Sequence, residues 1–235
     1  MIAVVVPAHN EAECLGACIA SIQQAATSPA LRGEAVRIFV CADACTDDSV
    51  SIAQQLGARV VNLDARNVGR ARAAGAQAAL DDGARWLAFT DADSVVAPDW
   101  LAAQLSLNAD AVCGTVAIGD WGDYGTDMRQ HYGRTYTDAD NHRHIHGANL
   151  GVSALAYRRA GGFLPLVNSE DVALVDALQA CGADIAWSAK PRVTTSARRD
   201  FRAPDGFGAT LLRVAETAAQ EATHQASRLT AAVPG

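Results

Sequence analysis

Short apolar runs alternate with helical spacing through the first two-fifths of the chain. The runs "IAVVV" (2–6), "VRIFVCA" (36–42), "ARVVNL" (58–63) and "WLAFT" (86–90) are rich in β-branched and aromatic residues and predict strands. Between them, segments near 11–26, 46–56 and 67–81 carry the 3.6-residue period of amphipathic helices. Continuous apolar strands alternating with helices imply an α/β fold whose central sheet is mostly parallel and flanked by helices on both faces. Beyond residue 97 the pattern loosens. A helix is expected after Pro98 and a strand over 109–118, and the Gly-, Asp- and Tyr-rich stretch 119–141 has weak periodicity. Residues 144–157 alternate in part, like an antiparallel or edge strand, before a turn at Gly161-Gly162. A helix over 169–182, short strands in "ADIAWS" and "RVTTSAR", and an amphipathic helix from Phe207 to Arg228 complete the chain. With no Pro/Ser linker, repeat or low-complexity tract, one compact unit is expected.

Three of the predicted strands end in polar clusters: "PAHNEAE", "DACTDDS" and "DADS". The carboxyl ends of strands in an open α/β sheet share one edge, and ligands bind in the crevice there. Asn10, Glu11, Asp43, Asp47, Asp91 and Asp93 are therefore expected in one cleft. Turn chemistry explains any single cluster but is a poor account of all three. Asp91 and Asp93 offer hard oxygens that suit Mg²⁺ or Mn²⁺, which takes its remaining ligands from water and a substrate's phosphates. A cation there would neutralise charge on a departing diphosphate.

The 235 residues are half hydrophobic and 19% charged, as in ordinary globular proteins. A net charge of −7 argues against nucleic acid as the main partner. Arg198, Arg199 and Arg202 are the local exception, a solvated face or a site for a phosphorylated ligand. No apolar run approaches the ~20 residues needed to span a bilayer, and "MIAVVVP" carries no signal-peptide pattern. With six cysteines and no secretory signal, free thiols in the cytoplasm are expected. The Cys14/Cys18 and Cys41/Cys45 spacings invite a zinc reading, but small buried hydrophobes are the better account. His142, His144 and His146 alternate and would share one face of a strand, as metal ligands, substrate-holding groups or a polar sheet edge. Trp121, Tyr124 and Tyr132 offer flat faces that suit ligand stacking, pocket walls or core packing.

With these motifs in order, the chain resembles the family-2 glycosyltransferases of the GT-A fold over roughly residues 2–200. "VVVPAHNE" looks like that family's opening strand and its Pro-x-Tyr/His-Asn-Glu turn. "DACTDDS" resembles its Asp-x-Ser-Thr-Asp-x-Ser/Thr loop, with Cys45 where Ser is usual. "NVGRARAAG" resembles its Gly-rich helix start, with Ala73 where Asn is usual. "FTDADS" matches the Asp-x-Asp metal motif, "HGANLGVSALAYRRAGGF" the acceptor-side segment, and "SEDVALVDAL" the Glu-Asp pair opening a late helix.

The resemblance implies a GT-A, Rossmann-like domain over 1–200, with a nucleotide-binding half (1–97), a smaller acceptor-side lobe (98–200) and a C-terminal helical extension (201–235). It implies that Pro7, Ala8, His9 and Glu11 line the nucleotide pocket and that Asp43 meets the base, often uracil. Arg72 would approach the base or diphosphate. Asp93 would ligate Mn²⁺ or Mg²⁺, and Asp91 would contact the ribose or a metal-bound water. Asp171 would be the general base, and a carboxylate at a helix N-terminus is favoured in its ionised form. His146, Gly147, Asn149 and Glu170 would lie on the acceptor side. The implied activity is inverting, metal-dependent transfer from a nucleotide-diphosphate sugar, expected to be UDP-linked, to an unidentified acceptor hydroxyl. No Gln-x-x-Arg-Trp motif follows the Glu-Asp pair, which fits single transfer rather than processive synthesis. The final helix could make a homodimer contact; with only Arg213 and Arg228 basic from residue 207 on, its membrane binding would be weak.

Two other classes stay open. A sugar-phosphate nucleotidyltransferase needs a Gly-rich, basic loop after the first strand, where this chain has the acidic "PAHNEAE". A degenerate glycosyltransferase-fold binding module has no physical need for Asp43, Asp93 and Asp171 together. A nicotinamide dehydrogenase is disfavoured by the missing Gly-x-Gly-x-x-Gly.

Overall fold

In the computed structural model, which describes residues 1–121 and 124–196, the apolar runs become strands β1 (Ile2–Ala8), β2 (Val36–Asp43), β3 (Arg59–Leu63) and β4 (Trp86–Phe89). Helices α1 (Ala12–Ala26), α2 (Ser49–Gln55) and α3 (Val68–Asp81) connect them. Each helix returns the chain in the same direction, so β1 pairs parallel with β2 and β4, and β2 with β3. The register sets Ala8 opposite Ala42 and Asp43 opposite Leu63, which brings the carboxyl ends to a common edge.

The strands are apolar throughout because both faces are covered. Along β1, Ala3 and Val5 join a core with Phe39, Phe89, Leu174 and Leu178. Ile2, Val4 and Val6 join the opposite core with Leu15, Ile19, Ile22 and Trp100. Each such large side chain contributes about 1.5–3 kcal/mol on burial.

The second half adds β5 (Ser94–Val96), α4 (Trp100–Ser106), β6 (Ala111–Asp120), α5 (Thr126–Thr135), β7 (Leu150–Ser153), α6 (Ala154–Arg159), α7 (Glu170–Ala180) and β8 (Ile185–Ser196). The eight strands of the described residues form one sheet in the order β3-β2-β1-β4-β7-β6-β8-β5. Parallel pairing joins the first four strands. β7 enters antiparallel to both β4 and β6, and β5 is antiparallel to β8.

Three local expectations change. The partial alternation over 144–157 is not one strand and not an edge. Gly147–Asn149 form a short 3₁₀ turn closed by Asn149 N–H donating to His146 O (2.9 Å), and only Leu150–Ser153 pair, inside the sheet. Ser153 then ends the strand by capping α6, its Oγ accepting from Ala156 N. The two short strands expected after 183 are one, β8, which continues through Pro191. The weakly periodic stretch holds α5, and the residues after Asp93 form β5.

Residues 1–118 and 138–196 make one compact unit, and residues 119–137 belong to a second. In that second unit Trp121 meets Tyr132 edge to face, with ring centroids 5.4 Å apart, and Tyr132 stacks on Tyr136 at 4.8 Å. The Arg198/Arg199/Arg202 cluster and the expected helix 207–228 lie outside the described residues. Among the described residues no helix is long and apolar enough to cross a membrane.

Candidate active site

The turns after β1 and β2 are laced together. Asn10, held at a φ of 54°, accepts through Oδ1 from Thr46 N (2.7 Å) and Asp47 N (3.3 Å). Asp47 Oδ2 accepts in return from Ala12 N (3.0 Å), and Glu11 N donates to Ser49 Oγ (2.8 Å). Cys45 Sγ donates to Ala8 O and accepts from Asn10 N, so the thiol bridges the two turns as a hydroxyl would. Asn10 and Asp47 therefore brace the rim, while buried Glu11 sits at its base.

Asp43, the last residue of β2, is a second knot. Its Oδ1 accepts from Ala65 N (2.7 Å) and Arg66 N (2.9 Å), and its Oδ2 from Asn67 N (2.7 Å). Burial raises its pKa, but these three N–H donors outweigh it and hold the carboxyl below the usual carboxylate range. An ionised carboxylate has about four acceptor positions, so one remains for a ligand. His9 donates Nδ1–H to Asp43 O (2.6 Å), which fixes its tautomer. Pro7 and Ala8 end β1 beside this turn. Asn67 in turn caps α3, Oδ1 accepting from Arg70 N.

From α3 comes the centre of the site. Arg72 is only 4% exposed, and its guanidinium pairs with Asp91 (Nη2 to Oδ1, 2.5 Å) and with buried Glu170. Phe163 lies beneath the guanidinium, 6.0 Å from Cζ to ring centroid. Arg72 Nε has no hydrogen-bond partner among the described residues. Gly147 lies against the guanidinium; a Cβ there would stand 2.5 Å from Cζ and 2.7 Å from Nη1. Gly147 N donates to Asp171 Oδ2 (2.7 Å), and Val172 N donates to Asp171 Oδ1 (2.8 Å). Asp91, Arg72, Glu170, Asp171 and Gly147 thus form one connected group, drawn from the turn after β4, α3, α7 and the turn before β7.

His146 adjoins this group, and its pKa falls to about 4, chiefly through burial, with His144 and His142 lowering it further and the charge of Asp171 opposing. The three histidines are not on a strand, yet their rings stack in series, 5.5 and 5.8 Å between centroids. Asp93 immediately precedes β5, and its Oδ1 lies 3.4 Å from both Ser94 Oγ and Thr195 Oγ1. Cys18 Sγ donates to Asp91 O, and its pKa is pushed up by burial and then by Asp91 and Asp93.

Arg72, expected against the base or diphosphate, is committed within the protein to two carboxylates. Asn149, expected on the acceptor side, is fully buried. Its Oδ1 accepts from Trp100 Nε1 (2.9 Å), and its Nδ2 donates to Thr115 O (2.7 Å) and Pro191 O (2.9 Å). An amide so engaged braces β6, β8 and α4 and offers nothing to an acceptor. Phe163 was not anticipated; the Gly161-Gly162 turn before it was the available signal. The Cys14/Cys18 and Cys41/Cys45 pairs form no metal cluster: among the described residues, no three His, Cys, Asp or Glu side chains are placed to hold an ion. A cavity of about 440 Å³, lined by residues including Cys45, Thr46, Asn62 and Arg66, opens between the β2–α2 turn and the end of β3, and none of the anticipated site residues lines it.

Residues 3–161 match the family model described as glycosyl transferase family 2. No curated protein sequence matches the chain. Among solved structures, S. aureus TarS aligns with a TM-score of 0.64 at 14% identity, covering 83% of this chain and 36% of that one. TarS 1–349 in complex with UDP-GlcNAc aligns at 0.65 and 14% identity, over 92% and 66%. Glucosyl-3-phosphoglycerate synthase from Mycobacterium tuberculosis, in complex with Mn²⁺, UDP and glucosyl-3-phosphoglycerate, aligns at 0.59 and 20% identity, over 84% and 72%. The chain therefore spans about a third of the first structure and two thirds of the second. At these identities the likeness concerns the fold, while the family rests on the match over residues 3–161: the chain belongs to glycosyl transferase family 2.

Proposed function

We propose that this protein transfers a sugar, with inversion and one residue at a time, from a UDP-sugar to an acceptor hydroxyl. The observation that carries the reading is the connected group of Asp91, Arg72, Glu170, Asp171 and Gly147, which sets the Asp-x-Asp turn beside a carboxylate at the head of α7. The UDP and UDP-GlcNAc complexes of TarS support the choice of donor.

In this reading Pro7, Ala8, His9 and the remaining acceptor position of Asp43 receive the nucleotide. Asp171 takes the proton from the acceptor hydroxyl as its oxygen bonds to the anomeric carbon. The bond from that carbon to the diphosphate oxygen breaks, and the electron pair leaves with UDP. Gly147 N–H and Val172 N–H hold the Asp171 carboxylate in place for this step. Glu170, paired with Arg72, positions the base without touching substrate.

The donor set at Asp91 and Asp93 fits a hard divalent cation. Two carboxylates, one already paired with Arg72, make an incomplete shell of the kind Mg²⁺ or Mn²⁺ completes with water and phosphate oxygens. Such an ion would supply charge neutralisation at the departing diphosphate. Calorimetric titration with UDP should give tighter binding with Mn²⁺ than without, and Asp93→Asn should remove the difference. Metal-independent binding, unaltered in the variant, overturns the assignment. Inversion is read from the anomeric configuration of the product by NMR.

A further inference from the structure

Arg72 places a buried positive charge directly behind the Asp-x-Asp turn. Its guanidinium donates from Nη2 to Asp91 Oδ1 (2.5 Å) and from Nη1 to Glu170 Oε1. The Arg72 and Glu170 side chains are each 5% exposed, whereas that of Asp91 is 36% exposed. Asp91 therefore joins a fixed interior charge to the solvent-facing turn that also carries Asp93.

The guanidinium has little freedom to withdraw when a second cation arrives. A Cβ on Gly147 would stand 2.5 Å from Cζ, so the backbone of residue 147 backs the group closely, and the Phe163 ring lies 6.0 Å from Cζ. Leaving Asp91 would also strip a buried charge of one of its two counter-ions. One oxygen of Asp91 thus stays committed, and its charge stays offset, whatever binds at the turn. Among the described residues no three His, Cys, Asp or Glu side chains are placed to hold an ion, so Asp93 has no further anionic ligand beside it to make good that loss. A hard divalent ion here meets one full carboxylate, one neutralised carboxylate and a neighbouring positive charge. That is a poor site until phosphate oxygens add ligands and negative charge of their own.

We propose that Arg72 is a resident cation that makes capture of a divalent ion conditional on the donor's diphosphate. It lowers the affinity of the Asp91–Asp93 turn for the free ion, so that Mn²⁺ or Mg²⁺ is held tightly only together with a nucleoside diphosphate. Arg72 acts through Asp91 and is a positioning residue. The inference rests on the donor and cation reading above and adds to it a role for the buried guanidinium. A guanidinium that only braced α3 against α7 would, when removed, leave the ion's affinity unchanged or lower it. One that repels the ion raises the affinity when removed.

The test follows free Mn²⁺ by electron paramagnetic resonance as it is titrated into the full chain, alone, with saturating UDP and with uridine. Wild type should bind Mn²⁺ weakly alone and with uridine, and at least about ten-fold more tightly with UDP. The double variant Arg72→Met/Glu170→Met removes the buried pair together at similar volume, a change that folded proteins often tolerate. Without nucleotide it should bind Mn²⁺ about ten- to a hundred-fold more tightly than wild type, the bare Coulomb effect being reduced by solvent at partly exposed Asp91. Adding Asp93→Asn should abolish that gain. Arg72→Gln, neutral but still a donor, should show a gain of the same sign and serves where the double variant does not fold. Mn²⁺ binding that UDP strengthens but neither variant raises overturns this inference alone and leaves the donor reading standing. Strengthening by uridine as large as that by UDP also overturns it. Mn²⁺ binding that UDP does not strengthen removes the cation reading first, and this inference with it.

Discussion

Replacing Gly147 with alanine probes whether the Arg72 guanidinium is held where the structure has it. The new Cβ would stand 2.5 Å from Cζ and 2.7 Å from Nη1 of Arg72, and ordinary contact begins near 3.4 Å. Clearing Cζ alone requires the guanidinium to retreat by about 0.9 Å, the difference between 3.4 and 2.5 Å, and Nη2 stands closer still. It has little freedom to do so, being 4% exposed and tied to both Asp91 and Glu170. Such a retreat would stretch the 2.5 Å contact with Asp91 beyond hydrogen-bond length. Overpacking alone costs about 1–3 kcal/mol, and weakening one arm of a buried ion pair adds to it. A loss of about 2–4 kcal/mol follows, which for a chain of this size lowers Tm by about 5–15 °C. Gly16→Ala is the internal control. Gly16 lies within α1 with nothing near its Cβ position, so alanine there should stabilise by about 0.5–1 kcal/mol. Urea and thermal unfolding of both variants, followed by circular dichroism, measure the contrast. If Gly147→Ala lies within about 0.5 kcal/mol of wild type, the guanidinium is not fixed against residue 147 and the connected group dissolves with it.

Three further outcomes are expected. Gly69→Ala places its Cβ 2.7 Å from Leu166 O and 2.9 Å from Leu166 N, rigid backbone atoms; a loss of about 1–3 kcal/mol and faster proteolysis between 163 and 169 should follow. His146, with its pKa lowered from 6.5 to about 4, takes up a proton on unfolding anywhere between those values. Its contribution is complete above pH 6.5 and is lost as pH falls toward 4, by about 1–3 kcal/mol, and His146→Gln should flatten stability over that interval. Asp43 shifts in the same direction, its pKa lowered from 3.8, so its contribution is complete above about pH 4 and fades as pH drops below. Asp43→Asn leaves Asn67 N–H facing an NH₂ group and should cost about 1–3 kcal/mol at neutral pH, a deficit that narrows in acid. A constant deficit down to the acid transition contradicts the three-amide account.

The parallel half of the sheet was legible because its information is local. Four continuous apolar runs and three helical periods predicted strands and helices to within a few residues, and the polar turns at their ends followed from connectivity. What escaped was held by distant partners. Arg72 and Glu170 are 98 positions apart, and neither residue's surroundings announce the other. Three-residue β5 exists because Ser94 pairs with Thr195 across the sheet, a pairing with no periodic trace. Asn149 looked functional because it falls in the segment that resembles the family's acceptor side, yet Trp100, Thr115 and Pro191 claim its amide. Motif order, in contrast, pointed at the right family from residues that are individually common.

The guanidinium shared by Asp91 and Glu170 has a bearing on protein engineering. A chimera that joined the first 97 residues of this chain to the remainder of a relative would graft the cation from one parent onto an anion from the other. Unless both parents keep that charge arrangement, the hybrid would retain the Arg72–Asp91 pair but leave the buried guanidinium without its second anion, so recombination libraries should exchange positions 72, 91 and 170 together.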